Sequence, residues 1–235
     1  MANDMTGRVV AITGAFGVLG AAVAKAAAGQ GARVVLIDFA PDPPAGLMEA
    51  CGPGAVALGG VDLADAARAS AVVDKAAESG GLDALINVAG GFRWQTVEEG
   101  DPAAWDHLYA LNVKTTLNAT RAALPYLKRS QGGRIVNIGA NGAVKASAGM
   151  GAYAASKAAV HRLTESLAEE LKADGVTVNA VLPSIIDTPT NRADMPDADF
   201  GAWVAPADLA AVVLFLASPA ARAGTGALVP VTGRV

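Results

Sequence analysis

Short runs of continuously apolar residues alternate along the chain with longer stretches whose Ala, Leu and Val recur at helical spacing. Arg8-Val-Val-Ala-Ile12 is the first run, and Gly14 ends it. Arg33 to Ile37, Val56 to Leu58, Leu82 to Val88, Arg134 to Ile138, Val176 to Leu182 and Ala227 to Val231 repeat the pattern. Between them, Ala15 to Gln30, Leu63 to Ser79, Ala152 to Ala173 and Pro206 to Ala217 read as helices, and Pro102 to Arg129 as one or two more. Ala40 to Gly54, with four prolines and several glycines, reads as a loop. An unbroken apolar run is the signature of a strand buried on both faces, and strand–helix alternation builds a parallel sheet covered by helices on both sides. The expected fold class is therefore α/β, a single domain over residues 1–235 with a doubly wound parallel sheet of about seven strands. The longest irregular stretch, 183–205, leaves the carboxyl end of a strand, where such a sheet opens its ligand crevice. It is expected to form a substrate lid.

Composition narrows the partners. Of 235 residues, 52% are hydrophobic and 17% charged, enough apolar surface for a large core. The net charge of -4 and the scattered Lys128, Arg129 and Arg134 argue against a nucleic-acid surface. Cys51 is the single cysteine, so no internal disulfide can form and a reducing, cytoplasmic setting is expected. His107 and His161 are not spaced as ligands, no metal site is expected, and both read as surface or helix-packing residues. No signal peptide is evident. The longest apolar candidate, Leu209 to Ala217, is too short to cross a membrane. A small molecule is the expected partner.

Two constellations carry chemistry. Thr13-Gly14-Ala15-Phe16-Gly17-Val18-Leu19-Gly20 follows the first strand and opens the first helix. Glycines there allow a tight turn and bring backbone N–H groups against a pyrophosphate. Asp38, at the end of the second strand, can accept both ribose hydroxyls of an adenosine and would repel a 2′-phosphate. A Rossmann-type site for NAD(H), preferred over NADP(H), is the expectation. Tyr153 and Lys157 are four residues apart in a helical stretch and so share one face. A cation beside a phenol favours the phenolate, which lowers the phenol's pKa for proton transfer.

Together with further segments, these residues resemble the short-chain dehydrogenase/reductase family over nearly the whole chain. Asp62-Leu63 resembles the pair that holds the adenine, and Phe39 stands beside Asp38. Asn87-Val88-Ala89-Gly90 resembles the family's Asn-Asn-Ala-Gly, with one Asn replaced by Val. Asn112, in Leu-Asn-Val, matches the Asn that anchors a water linked to the catalytic Lys. Tyr153 and Lys157 match Tyr-xxx-Lys, and Pro183 to Thr188, with Ile186, matches Pro-Gly-xxx-Thr, whose Thr contacts the nicotinamide carboxamide. The resemblance implies an oxidoreductase that transfers hydride with Tyr153 as proton donor, Lys157 and Asn112 assisting, assembled as a homodimer or homotetramer.

Two departures stand out. The glycines fall as Gly-xx-Gly-xx-Gly rather than Gly-xxx-Gly-x-Gly, and the family's catalytic Ser is replaced by Ala140. Loss of one such donor ordinarily costs ~3 kcal/mol of transition-state stabilisation in acyl-transfer enzymes. Asn141 and Ser147 are the neighbouring polar candidates to replace it. One branch, the dihydropteridine reductases, also has Ala there and is similar in Val88 to Phe92, Gly149 to Tyr153, Ala159 to His161 and Ala180 to Pro183. The similarity is sharpest in Asp187-Thr-Pro-Thr-Asn-Arg192, Met195 to Phe200 and Trp203. Its substrate, a quinonoid dihydropterin, is reduced at ring nitrogens, so no alkoxide needs a donor. Phe92, Met150, Phe200 and Trp203 are expected around a flat substrate, with Asn141. The alternatives are a carbonyl/alcohol dehydrogenase of the same family, or a nucleotide-binding protein without turnover.

Overall fold

The computed structural model describes residues 4–78 and 80–235. Ser79, the last residue of one expected helix, and residues 1–3 lie outside them. Along the chain come β1 (Val9–Thr13), α1 (Val18–Gly29), β2 (Arg33–Ile37), α2 (Leu47–Cys51) and β3 (Val56–Leu58). Then follow α3 (Ala66–Ala77), β4 (Ala84–Asn87), α4 (Ala103–Tyr109), α5 (Thr115–Leu127) and β5 (Arg134–Ile138). The chain ends with α6 (Gly151–Glu170), β6 (Thr177–Pro183), α7 (Pro189–Asp194), α8 (Pro206–Ala217) and β7 (Leu228–Val231). The strands form one seven-stranded sheet in the order β3-β2-β1-β4-β5-β6-β7, parallel throughout.

The unbroken apolar runs are explained by the period of two along a strand. Val10, Ile12, Val34, Leu36, Ile86 and Val136 face α1 and α8 in one apolar cluster. Val9, Ala11, Val35, Ile37, Leu85 and Ile135 face α3, α5 and α6 in the other. Alanines on the facing helices, among them Ala24, Ala27, Ala119 and Ala123, are wholly buried, which lets helix backbones approach the sheet closely. The strand order reverses between β1 and β4, so the connections leaving their carboxyl ends run in opposite directions and leave a crevice there.

Two readings are corrected and one is made specific. The loop from Ala40 to Gly54 contains α2, whose Leu47 and Cys51 plug into the α1 side of the core. Proline and glycine mark the ends of that turn without forbidding it. Pro102 to Arg129 holds two helices, within the expected one or two, α4 passing into α5 through a π-helical turn at Ala110–Lys114. The stretch 183–205 is not irregular throughout, because it holds α7 and a 3-10 turn at Phe200–Ala202. Among the described residues, no helix is long and apolar enough to cross a membrane.

Candidate active site

The crevice begins at the turn between β1 and α1. Gly14 has a φ of +62°, and a Cβ there would fall 2.7 Å from the Ala89 nitrogen. A Cβ on Gly20 would collide with the Gly14 carbonyl. Gly17 caps α1 without a side-chain bond, and no acid lies in the first turn. The N–H groups of Val18, Leu19 and Gly20 therefore lack helical acceptors, and the positive end of the helix dipole stays unneutralised. Asp38, half-buried at the end of β2, is held by two backbone donors: Phe16 N–H at 2.8 Å and Ala40 N–H at 2.9 Å. Phe39 beside it is 74% exposed.

Asp62 accepts the Ala64 N–H at 2.9 Å, and Asn118 Nδ2 donates to the carbonyls of buried Leu63 and of Ala64. Ala89 N–H donates to Thr13 Oγ1 at 3.2 Å, tying the two crevice-forming strands together. Pro183 closes β6, and Thr188 follows as the cap of α7. Asn87, expected at the cofactor, lies deeper. Its side chain is 2% exposed and donates to Thr120 Oγ1 and Asn137 Oδ1. It braces β4 and β5 from within the core and does not offer its amide to the crevice.

Tyr153 and Lys157 share one face of α6, as expected, but their electrostatics differ from the expectation. Lys157 is buried, its Nζ donates to Ile138 O at 2.8 Å, and burial pushes its pKa down to about 8. Burial pushes the Tyr153 phenol up to about 12. With the ammonium turned to a carbonyl, desolvation of the phenolate dominates, so the phenol is a firmly neutral donor. Phe92, 58% exposed, stands edge-on to the Tyr153 ring, with centroids 4.9 Å apart.

Asn112 lies in the π-helical turn, wholly buried. Its Oδ1 accepts the Gly91 N–H at 2.8 Å, while Nδ2 donates to Gly91 O and to Ser156 Oγ. Its carbonyl accepts Thr116 Oγ1 at 2.9 Å. A Cβ on Gly90 would fall 2.6 Å from Asn112 Oδ1 and 3.2 Å from Lys157 Nζ, so the loop after β4, the π turn and α6 converge here. Ala140 presents a methyl group, and its N–H is taken by His161 Nε2 at 3.3 Å. Asn141 is half-buried in a 3-10 turn and Ser147 is exposed.

The segment 183–205 is internally braced. Arg192 forks onto Asp187 at 2.6 and 2.7 Å and lies 4.7 Å over the Phe200 ring. Phe200 in turn meets Trp203 at 4.8 Å. Thr188 caps α7 through the Asn191 N–H, and Asn191 Nδ2 donates to Ile186 O. Ile186 also bridges to Val204. Trp203, expected beside the substrate, is only 7% exposed; it packs inside this segment, because the turn Phe200–Ala202 folds it inward. Met150 precedes α6, its Cε 3.0 Å from where a Gly142 Cβ would stand.

Nothing in the local sequence around Trp94 marks its role. Its Nε1 donates to Ala148 O at 3.0 Å, and its ring fills the side-chain space of Gly149, which has a φ of +75°. With Gln95 N–H on Gly149 O at 2.8 Å, it fastens the loop after β4 to the segment before α6. His161 was read as a packing residue. Its spacing of four from Lys157 was the available signal that it belongs to the site's face of α6.

Residues 8–199 match the short chain dehydrogenase family. The chain belongs to the short-chain dehydrogenase/reductase family of oxidoreductases. It is 35% identical to 2-(S)-hydroxypropyl-CoM dehydrogenase 3 of Xanthobacter autotrophicus, over 99% of this chain and 98% of that one. It is 32% identical to D-beta-hydroxybutyrate dehydrogenase of Cupriavidus necator, over 95% and 96%. A solved 3-ketoacyl-(acyl-carrier-protein) reductase from Brucella melitensis, complexed with NADH, superposes with a TM-score of 0.87 at 30% identity, over 98% of this chain and 99% of that one. These short-chain dehydrogenase/reductase relatives are dehydrogenases and a ketoreductase. The narrower resemblance to the dihydropteridine reductases, expected from the sequence, is not supported by these relatives.

Proposed function

We propose an NAD(H)-dependent reductase that acts on a planar conjugated acceptor, such as a quinonoid dihydropterin, with Tyr153 as the proton donor. The observation that carries this reading is position 140. Neither its methyl side chain nor its backbone N–H, committed to His161, can donate to a substrate oxygen. Asn141 is half-buried in the turn after Ala140 and Ser147 is exposed, and neither stands at position 140 itself. A site without this donor suits an acceptor in which no alkoxide develops.

The crevice fits a dinucleotide. Its glycine cradle leaves no room for a side chain at Gly14 or Gly20, and the free N–H groups opening α1 suit a pyrophosphate. Asp38, fixed by Phe16 and Ala40, suits an unphosphorylated adenosine ribose, with Phe39, Asp62, Leu63, Ala89, Gly90, Ile186 and Thr188 around it. A bound dinucleotide supplies hydride from its nicotinamide ring. Tyr153 supplies the proton, Lys157 holds the ribose and the charge beside the phenol, and Asn112 holds the loop that carries Gly90 and Phe92. Phe92 offers an aromatic edge to a flat ring. A homodimer or homotetramer in the cytoplasm completes the reading.

A second reading has specific support: the relatives are named for hydroxy and keto compounds, so this chain would oxidise a secondary alcohol or reduce a ketone. The test is turnover with NADH on quinonoid dihydropterin, benzoquinone and acetoacetyl esters, and with NAD on secondary alcohols. Turnover of the conjugated acceptors at least about tenfold above the carbonyls is expected. The reverse order would replace the first reading by the second.

A further inference from the structure

His161 is sealed in the core, 3% exposed, yet it stands on the same face of α6 as Tyr153 and Lys157, each a step of four residues apart. Its Nε2 accepts the Ala140 N–H at 3.3 Å. One turn earlier, Lys157 Nζ donates to Ile138 O at 2.8 Å. The helix thus grips one stretch of backbone twice, with a donor on the Ile138 carbonyl and an acceptor on the Ala140 amide. Gly139 between them leaves the room this requires. A Cβ there would fall 2.5 Å from His161 Nε2 and 3.3 Å from Leu182 Cδ1. From the other side, Gly139 N–H donates to Val181 O at 2.9 Å.

Nε2 can accept a hydrogen bond only while it carries no proton. Ionisation of His161 would set a donor against the Ala140 donor and bring a second cation toward Lys157. Burial lowers the His161 pKa most, Arg162 and Lys157 lower it further, and Glu165 opposes them. The strand β6 and the turn 141–143 carry no titratable side chain, and the only one on β5, Arg134, lies at the far end. Asp106, His107 and Tyr109 of α4, and Lys114 of the π turn, are exposed.

We propose that His161 is a positioning residue: its neutral imidazole, together with Lys157, clamps the backbone from Ile138 to Ala140 and so fixes the wall of the site that carries Ala140. The proposal rests on Tyr153 and Lys157 being the working pair, as read above.

Two measurements on the full chain test it. In a 15N-labelled sample titrated from about pH 8 to about pH 5, the Ala140 amide resonance is expected to move with the His161 ring, at a midpoint below 6.5. NADH-dependent turnover of quinonoid dihydropterin should fall at the same midpoint. His161→Gln keeps an acceptor that does not titrate, so it should retain turnover within about threefold and lose that acid limb. His161→Leu should lower kcat by about ten- to a hundredfold, with a smaller change in KM. An Ala140 amide indifferent to His161 ionisation, or a Leu variant with wild-type kcat and the acid limb intact, would overturn the clamp. If the Leu variant does not fold, the Gln variant and the wild-type amide titration still decide. A chain that turns over none of the acceptors overturns the functional reading, while the amide titration still judges the clamp.

Discussion

Lys157 is a charge buried at the expense of stability. Its pKa falls from 10.5 to about 8 because the ammonium is desolvated. A depressed folded-state value means that stability is fully present above pH 10.5 and is lost as the pH falls through about 8. At neutral pH the folded chain therefore carries the whole penalty, on the order of 3 kcal/mol. Lys157→Met should remove it, offset by about 1 kcal/mol for the Ile138 carbonyl left without its donor. The variant is expected to melt higher than the wild type at pH 7, to lose the rise in stability between about pH 8 and pH 10 that the wild type shows, and to lose turnover. Thermal melts at the two pH values check this. A variant less stable than the wild type at pH 7 would mean that the bond to Ile138 outweighs the desolvation. Tyr153 runs the other way. Its raised value of about 12 keeps it neutral through the working range, and the stability it contributes is lost only as the pH rises from about 10 toward 12. The same burial that makes the phenol a dependable donor makes the lysine a strained neighbour.

At the scale of the element, the turn from β1 into α1 is the most constrained piece of the site. The first turn of α1 lies against the Gly14 carbonyl, with no space for a methyl at Gly20. Gly20→Ala must move the turn away from the helix, which displaces the N–H groups that open α1. Fluorescence titration with NADH should show at least about a tenfold weaker Kd, with the helical circular dichroism retained, because overpacking of this size ordinarily costs 1–3 kcal/mol and is absorbed locally. Wild-type affinity in that variant would show that the helix N-terminus is not where the anion sits. This element was legible in the sequence, because glycine spacing, a preceding strand and a following acid are all local signals. The strands were legible too, since burial on both faces writes itself as an unbroken apolar run, and β2, β3 and β5 begin and end where the pattern places them. Other features were not legible, for a common reason. The π turn around Asn112, the seat of Trp94 on Gly149 and the inward fold of Trp203 are set by contacts between segments distant in sequence. The depressed Lys157 and raised Tyr153 values were missed because spacing shows that two groups share a face but not where each points or how dry the face is.

At the scale of the whole molecule, the seven strands share one sheet with two apolar faces, so a ligand held in the crevice between β1 and β4 should stabilise the entire domain. Ligand at one hundred times its Kd adds about 2.7 kcal/mol to the folded state. For a domain of this size each kcal/mol raises Tm by roughly 2–4 °C, so saturating NADH should raise Tm by about 5–10 °C. NADPH at the same concentration should raise it less, because its 2′-phosphate would meet the Asp38 carboxylate, which Phe16 and Ala40 N–H groups hold in place. Asp38→Ser should narrow the gap by removing that repulsion while leaving the glycine cradle intact. Scanning calorimetry of both proteins with both cofactors reads the comparison directly. Equal shifts by NADH and NADPH in the wild type would show that Asp38 does not select the cofactor. A gap that persists in Asp38→Ser would assign selection to another group near the adenosine, with exposed Phe39 and half-buried Asp62 the nearest candidates in sequence.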